Sequence, residues 1–357
     1  MQNENKIKIG ISVGDINGIG IEIILKTFSD SRMLDFCTPI IFGTSKLISK
    51  HKKILGLQVP IHGITHMDKA VSNKINLFNT WKEDVEVTLG EASKTAGKYA
   101  YLSLKKAVEF LNNKEIDVLV TAPINKENIQ SKDFDFQGHT EYLEASIKGD
   151  SLMILMEKEL KVGLITGHIP IKDVAKTITP ELIEHKVNIM YESLLKDFKI
   201  RKPKIAILGI NPHCGDNGVI GDEDQAIVLP TIEKIKKTGK LVYGPYAADS
   251  FFGTKAFANF DGVLAMYHDQ GLAPFKTLSF GKGVNFTAGL ERIRTSPDHG
   301  TAYEIAGKNK ANADSFKEAI FSAIEIFKNR TEYEELTANS LKVSSRRKEY
   351  RGKRVTK

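Results

Sequence analysis

Residues 6–28 read KIKIGISVGDINGIGIEIILKTF, and three textures follow one another within them. KIKIGISV (6–13) is a short apolar, β-branched run, GDINGIG (14–20) supplies turn residues, and IEIILKTF (21–28) returns to apolar residues at helical spacing. The reading is strand, loop, helix. Similar β-rich runs recur as IDVLVT (116–121), LKVGLIT (160–166), KIAILG (204–209) and GVLAMY (262–267), with amphipathic helical patterns over 95–111 and 180–195. Strands alternating with helices predict an α/β fold with a largely parallel sheet. No internal repeat or low-complexity linker interrupts the chain, which leaves the polar stretch 125–137 as a candidate domain boundary.

At 357 residues the chain suits about two domains and can bury a sizeable core. The opening MQNENKIKIGISVGD has no apolar signal core, and no apolar run approaches the roughly 20 residues a membrane span needs. Cys37 and Cys214 stand far apart and suggest no disulfide framework, so a cytoplasmic protein is expected. The formal charge of +7 is carried entirely by residues 342–357, KVSSRRKEYRGKRVTK. That pattern predicts a solvated basic tail on a neutral body, and nucleic acid is not an expected partner.

Polar residues cluster where the apolar runs end. TAPINK (121–126), TGHIP (166–170), GINPHCGDNG (209–218) and YHDQG (267–271) each follow one run. Ligands of open α/β sheets bind beyond the carboxyl ends of strands, so these ends are expected to assemble one site. His168, His213 and His268 sit directly after strands among small or helix-breaking neighbours. Three imidazoles with an open position suit a catalytic divalent ion, although any one of them also suits substrate or core hydrogen bonding. His51, His62, His66 and His185 read as surface or core residues. The HGITH spacing of His62 and His66 lacks the helix and the glutamate of a zinc-protease pair.

The common nucleotide loops are missing. GDINGIG lacks the third glycine of the dinucleotide fingerprint, and GEASKTAGKY (90–99) fails the Walker A spacing. The first is either a tight strand-to-helix turn or an anion-binding loop. HGTAYEIAGK (299–308), continuing to Asn312, resembles the HGSAPDIAGK loop that holds the adenosine of the cofactor in isocitrate and isopropylmalate dehydrogenases. Tyr303 stands in place of the proline there and Glu304 in place of the aspartate.

Nine ordered segments carry a wider resemblance: SVGDINGIGIE, TAPINK, GHTEYL, TGHIPIKDV, GINPHCG, GPYAAD, MYHDQGLAPFK, FGKGVNFTAGLERIRTSPDHGTA and EIAGK. From about residue 8 to 327 the chain resembles the 4-hydroxythreonine-4-phosphate dehydrogenase family. The resemblance implies two α/β/α domains with largely parallel sheets and a cleft between them, as in isopropylmalate dehydrogenase. Residues 1–128 with 296–340 would form the cofactor-side domain, 129–295 the metal, substrate and dimer domain, and 341–357 the tail. It implies a homodimer with shared active sites and a divalent metal on His168, His213 and His268, zinc first and magnesium or cobalt as alternatives. Substrate would meet His139, Thr140, Lys276, Asn285 and Arg294; NAD, with NADP as the alternative, would meet His299, Gly300, Thr301, Ala302 and Asn312. Catalytic candidates are Lys276 and, as proton acceptors, Asp249 and Asp269. The implied reaction is NAD-dependent oxidation of 4-phosphooxy-L-threonine at C3, then decarboxylation to 3-amino-2-oxopropyl phosphate, in pyridoxal 5'-phosphate synthesis. A paralogue acting on 4-phospho-D-threonate or 4-phospho-D-erythronate is the nearest alternative, and a non-redox metal-dependent decarboxylase or aldolase the next.

Overall fold

The structure, a computed structural model, describes residues 6–339; the basic tail inferred for 342–357 lies outside the described residues. Its centre is one twelve-stranded sheet in the order β3-β4-β2-β1-β5-β12-β11-β6-β7-β10-β8-β9. In chain order the strands are β1 (Lys8–Ser12), β2 (Thr38–Gly43), β3 (Ile61–Ile64), β4 (Ile75–Asn79), β5 (Val118–Thr121) and β6 (Gly149–Glu157). They continue as β7 (Leu160–Leu164), β8 (Lys204–Leu208), β9 (Leu241–Tyr246), β10 (Gly262–Ala265), β11 (Val284–Leu290) and β12 (Ile293–Pro297). The five apolar runs read from the sequence are β1, β5, β7, β8 and β10. The helical patterns at 95–111 and 180–195 are the helices Lys94–Asn112 and Pro180–Lys196.

The opening unit folds as its pattern dictates. Ile9 and Ile11 are fully buried in β1, and the helix Gly20–Ser29 buries Ile21, Ile23, Ile24, Leu25 and Phe28 around most of its circumference. Such all-round burial marks a helix covered by others as well as by the sheet. The turn between them is a packing element. All of 14–19 is buried, Gly14 has φ +66°, and the Ile19 amide donates to Thr301 O at 3.0 Å. A Cβ on Gly18 would stand 2.9 Å from that same carbonyl, so glycine is what lets the 299–308 loop lie against this turn.

Strand direction is where the sheet departs from a simple parallel array. Strands β3, β4, β2, β1, β5 and β12 form one parallel group, and β7, β10, β8 and β9 form another. The pairs β12–β11, β11–β6 and β6–β7 are antiparallel. Three reversals make the two groups run in opposite directions. The carboxyl end of β5, with TAPINK, therefore leaves the sheet oppositely to those of β7, β8 and β10, which carry the three histidines. The ends of β5, β7 and β10 meet over the face of the central strands, while the β8 end with His213 stays outside that meeting point.

Candidate active site

One cavity of about 240 Å³ lies over these central strands. Thr121 at the end of β5, Arg294 and Ser296 of β12, Asn285 of β11 and Met153 and Leu155 of β6 form its floor. The helix His139–Ser146 contributes His139, Thr140 and Glu141, and the loop after β5 contributes Lys126. His168 after β7, His268 and Lys276 of the helix His268–Ser279, and Asp298, His299 and Gly300 complete the wall.

Arg294 sets the electrostatics. It is 1% exposed, donates through Nε and Nη2 to Thr121 Oγ1 at 3.0 and 2.6 Å, and through Nη1 to Thr287 Oγ1 at 3.3 Å. Among the described residues no carboxylate lies within ion-pair distance of it. Burial pushes the guanidinium down to about 9, only partly offset by the charge of Glu141. A buried cation whose partners are hydroxyls is a costly arrangement that an arriving anion relieves.

Other polar groups face the cavity unsatisfied. His139 Nε2, Asn285 Oδ1, Glu141 Oε2 and His299 Nε2 are buried without hydrogen-bond partners among the described residues. Burial, then the charges of Arg294 and Lys126, hold His139 well below its ordinary 6.5, so its ring is neutral. Buried polar atoms of this kind are uncommon in folded chains unless a ligand or water completes them. Asp298 packs against Gly283, where any side chain would collide with its carboxylate. Burial raises the Asp298 carboxyl above its ordinary value, opposed by neighbouring Lys276 and His299.

The three histidines divide. His168 and His268 share the cavity wall with ring centroids 5.3 Å apart, whereas His213 is exposed and outside the lining. His213 lies in a loop where His213, Cys214 and Asp216 all have positive φ. Asp224, fully buried, anchors the start of that loop by accepting from the Ile210 and Asn211 amides at 2.8 and 2.9 Å. Beyond His213 the loop exposes Val219 (81%) and Ile220 (43%). Within the described residues of one chain, no three His, Cys, Asp or Glu stand close enough to hold an ion. The donor set on the cavity wall thus fits a divalent cation as two imidazoles, with a third ligand needed from elsewhere.

Each imidazole also has a carboxylate at Nδ1. His168 Nδ1 lies 3.2 Å from Glu141 Oε1 and His268 Nδ1 lies 2.6 Å from Asp269 Oδ1. Lys126 Nζ is 3.1 Å from His168 Nε2. Burial raises the Glu141 carboxyl, but the His168 hydrogen bond and nearby positive charge bring it below its ordinary value. Asp269 is otherwise exposed, and Asp249, in the short helix Ala248–Gly253, lies outside the cavity lining.

At the mouth, His299 and Gly300 line the cavity, while the Thr301 carbonyl accepts from the Ile19 amide of the first loop and Ala302 follows outside the lining. Tyr303 donates its hydroxyl to Asp15 Oδ2 at 2.8 Å, joined there by Asn128 Nδ2 at 2.7 Å. Asn312 is exposed, and its Oδ1 accepts from the Asp314 amide at 2.7 Å at the start of the helix Asp314–Thr337. Lys126, Glu141, Thr121 and Asp298 are among the polar cavity residues that sequence reasoning did not single out, although each sits in a segment that it quoted.

Residues 35–323 match the family model described as pyridoxal phosphate biosynthetic protein PdxA. A 4-hydroxythreonine-4-phosphate dehydrogenase of Bacteroides thetaiotaomicron is 49% identical over 353 residues, which cover 98% of this chain and 96% of that one. A relative from Oceanobacillus iheyensis, provisionally named a D-threonate 4-phosphate dehydrogenase, is 37% identical over 323 residues, 89% of this chain and 97% of its own. The crystal structure of 4-hydroxythreonine-4-phosphate dehydrogenase from Klebsiella pneumoniae superposes with a TM-score of 0.78 at 32% identity, covering 91% of this chain and 99% of that one.

Proposed function

The chain belongs to the PdxA family of pyridoxal phosphate biosynthetic proteins, and from that premise we propose that it oxidises 4-phosphooxy-L-threonine at C3 and decarboxylates the product to 3-amino-2-oxopropyl phosphate. The observation that carries this reading is Arg294, a fully buried cation without a carboxylate partner among the described residues, in the floor of a cavity shared with Lys276, His139, Asn285, His168 and His268.

The substrate brings a phosphate and a carboxylate, and the site offers matching charge. Arg294 presents a planar donor set suited to two-pronged capture of an oxyanion, and Lys276 a compact ammonium. Neutral His139 and the Asn285 carboxamide oxygen direct the remaining polar groups of the substrate through their unpaired atoms. When bound, a divalent ion on His168, His268 and His213 of a second copy would polarise the C3 oxygen; zinc is the first choice, with magnesium or cobalt as alternatives. Bound NAD, or NADP as the alternative, would accept the hydride, held at the mouth by the loop 299–302. Asp298, on the cavity wall beside Lys276, is a further candidate to receive the hydroxyl proton, and burial raises its carboxyl above the ordinary value. Asp249 and Asp269 remain candidates for the same task, and Asp269 already orients His268. The oxidised product carries a carbonyl β to its carboxylate, so loss of CO₂ leaves an electron pair the carbonyl can take up, and protonation at C2 completes the reaction.

The exposed His213 loop supports a homodimer, since within one chain that imidazole cannot join the other two at the cavity. The division into 1–128 with 296–340 and 129–295 is part of the same proposal, with the cavity over the strands where the two parts meet. Two free cysteines fit a reducing cytoplasm. No helix among the described residues is long and apolar enough to cross a membrane. A second reading, oxidation of 4-phospho-D-threonate, is favoured by the name of the Oceanobacillus relative.

Replacing Arg294 by Lys tests the anion assignment. The charge stays but the fork is lost, which is worth about 1.5–3 kcal/mol for a charged hydrogen bond. KM for the phosphorylated substrate should rise tenfold or more by that estimate, with KM for NAD nearly unchanged. A change confined to NAD would move Arg294 to the cofactor side.

A further inference from the structure

His168 is held between two charged groups from separate elements, and they act on different ring atoms. Glu141, in the first turn of His139–Ser146, places Oε1 3.2 Å from Nδ1, and Lys126, on the loop after β5, places Nζ 3.1 Å from Nε2. An ammonium has three donors and no acceptor, so Nε2 must present its lone pair to Lys126. The ring proton then sits on Nδ1, where the Glu141 carboxylate accepts it. This is the tautomer a histidine needs to bind a cation through Nε2. The second oxygen of Glu141 is buried and has no hydrogen-bond partner among the described residues.

We propose that Glu141 is the positioning residue of His168, and that the Lys126 ammonium fills, in the metal-free chain, the place a divalent cation takes at His168 Nε2. The inference rests on the reading of His168 as a metal ligand. One lone pair cannot serve an ammonium and a metal at once, so cation binding must release Lys126. Lys126 is exposed, and among the described residues its ammonium has no other hydrogen bond, which leaves it free to move. The released ammonium stays on the wall of the cavity that contains Arg294, His139 and Asn285, where it adds a positive charge facing an anionic substrate. Cation first and anion second is the binding order that follows, each favouring the other.

The test uses the full chain stripped of metal, with Zn²⁺ alone as the probe titrated against a competing chromophoric chelator. Glu141→Ala should weaken zinc binding by about 10–100-fold, the usual effect of removing such a partner, with Glu141→Gln intermediate. Lys126→Met should do the opposite and tighten zinc binding roughly tenfold, on the scale of a charged hydrogen bond. Opposite signs are not expected from general loss of folding, which melting curves of each variant monitor. In parallel, nitrogen NMR of the metal-free chain, with the His168 signals assigned through His168→Gln, should show the Nδ1–H tautomer. Zinc affinity unchanged or weakened in Lys126→Met overturns the competition, and an Nε2–H ring on His168 overturns the role of Glu141. If the wild-type chain takes up no zinc, the metal reading and the competition fall together, while the tautomer measurement still decides the positioning role.

Discussion

At the scale of single residues, burial of polar groups is what distinguishes the site, and it was only half legible. His168, His268, Lys276, Asn285 and Arg294 stood out through their motifs. Lys126 and Glu141 lie inside quoted motifs but carry no role of their own in the sequence, because their common partner His168 is 42 and 27 residues away. No local pattern encodes such contacts. His51 shows the same limit on the structural side. The sequence suits either a surface or a core residue there, and the structure makes it core: His51 is 1% exposed, and the backbone of Ile16 in the first loop acts on its ring. Burial pushes its pKa from 6.5 down to about 4. As pH falls through 6.5 the unfolded chain takes up a proton that the folded chain refuses, so stability present above that pH is lost. The loss reaches at most about 1.4 kcal/mol per pH unit and ends once the folded ring titrates near 4. Urea unfolding from pH 7 to 4 should show a shallower decline in His51→Gln than in the wild type. An identical slope would mean that the buried imidazole does not control it.

At the scale of elements, periodicity located strands and helices because each buries its own face, and the helix predicted over 180–195 is Pro180–Lys196. Strand direction left no such trace. The β6–β7 hairpin turns at Lys158, which has φ +46° but is neither glycine nor asparagine, so its turn carried no sequence signal. The sequence of the first loop suits either a packing turn or an anion site, and its burial and its bond to Thr301 favour packing. Tyr303 ties that loop to the 299–308 segment through Asp15, which is fully buried and accepts from Tyr303, Asn128 and the Asn17 amide. Tyr303→Phe deletes one of three donors to a buried carboxylate and should lower unfolding free energy by about 1.5–3 kcal/mol. If this junction holds the cofactor loop, KM for NAD should also rise more than KM for the substrate. Equal rises would detach the junction from cofactor binding.

At the scale of the whole molecule, the sheet brings two opposed parallel groups together so that the TAPINK end and two histidine-bearing ends reach the same central face. His213 is the exception, and its outward position makes a specific statement about assembly. In a dimer whose sites each take His168 and His268 from one chain and His213 from the other, His168→Ala and His213→Ala complement each other. Both lesions fall in one site and the second site is intact, so mixed dimers should recover up to about half of full activity. The pair His168→Ala and His268→Ala should give no rescue, because each chain then spoils its own site. Rescue by the second pair and not the first would reverse the assignment.

The central claim is a metal-dependent, NAD-linked oxidation of a phosphorylated hydroxy acid, and the most direct measurement is NADH formation by the purified full chain. 4-Phosphooxy-L-threonine, 4-phospho-D-threonate and 4-phospho-D-erythronate would be compared at equal concentration, before chelation, after it, and after zinc is returned. The account predicts NADH with 4-phosphooxy-L-threonine above the other two, one CO₂ released per NADH, loss of both on chelation and their return with zinc. Absence of NADH with all three substrates in the metal-loaded protein, or turnover indifferent to chelation, would contradict it.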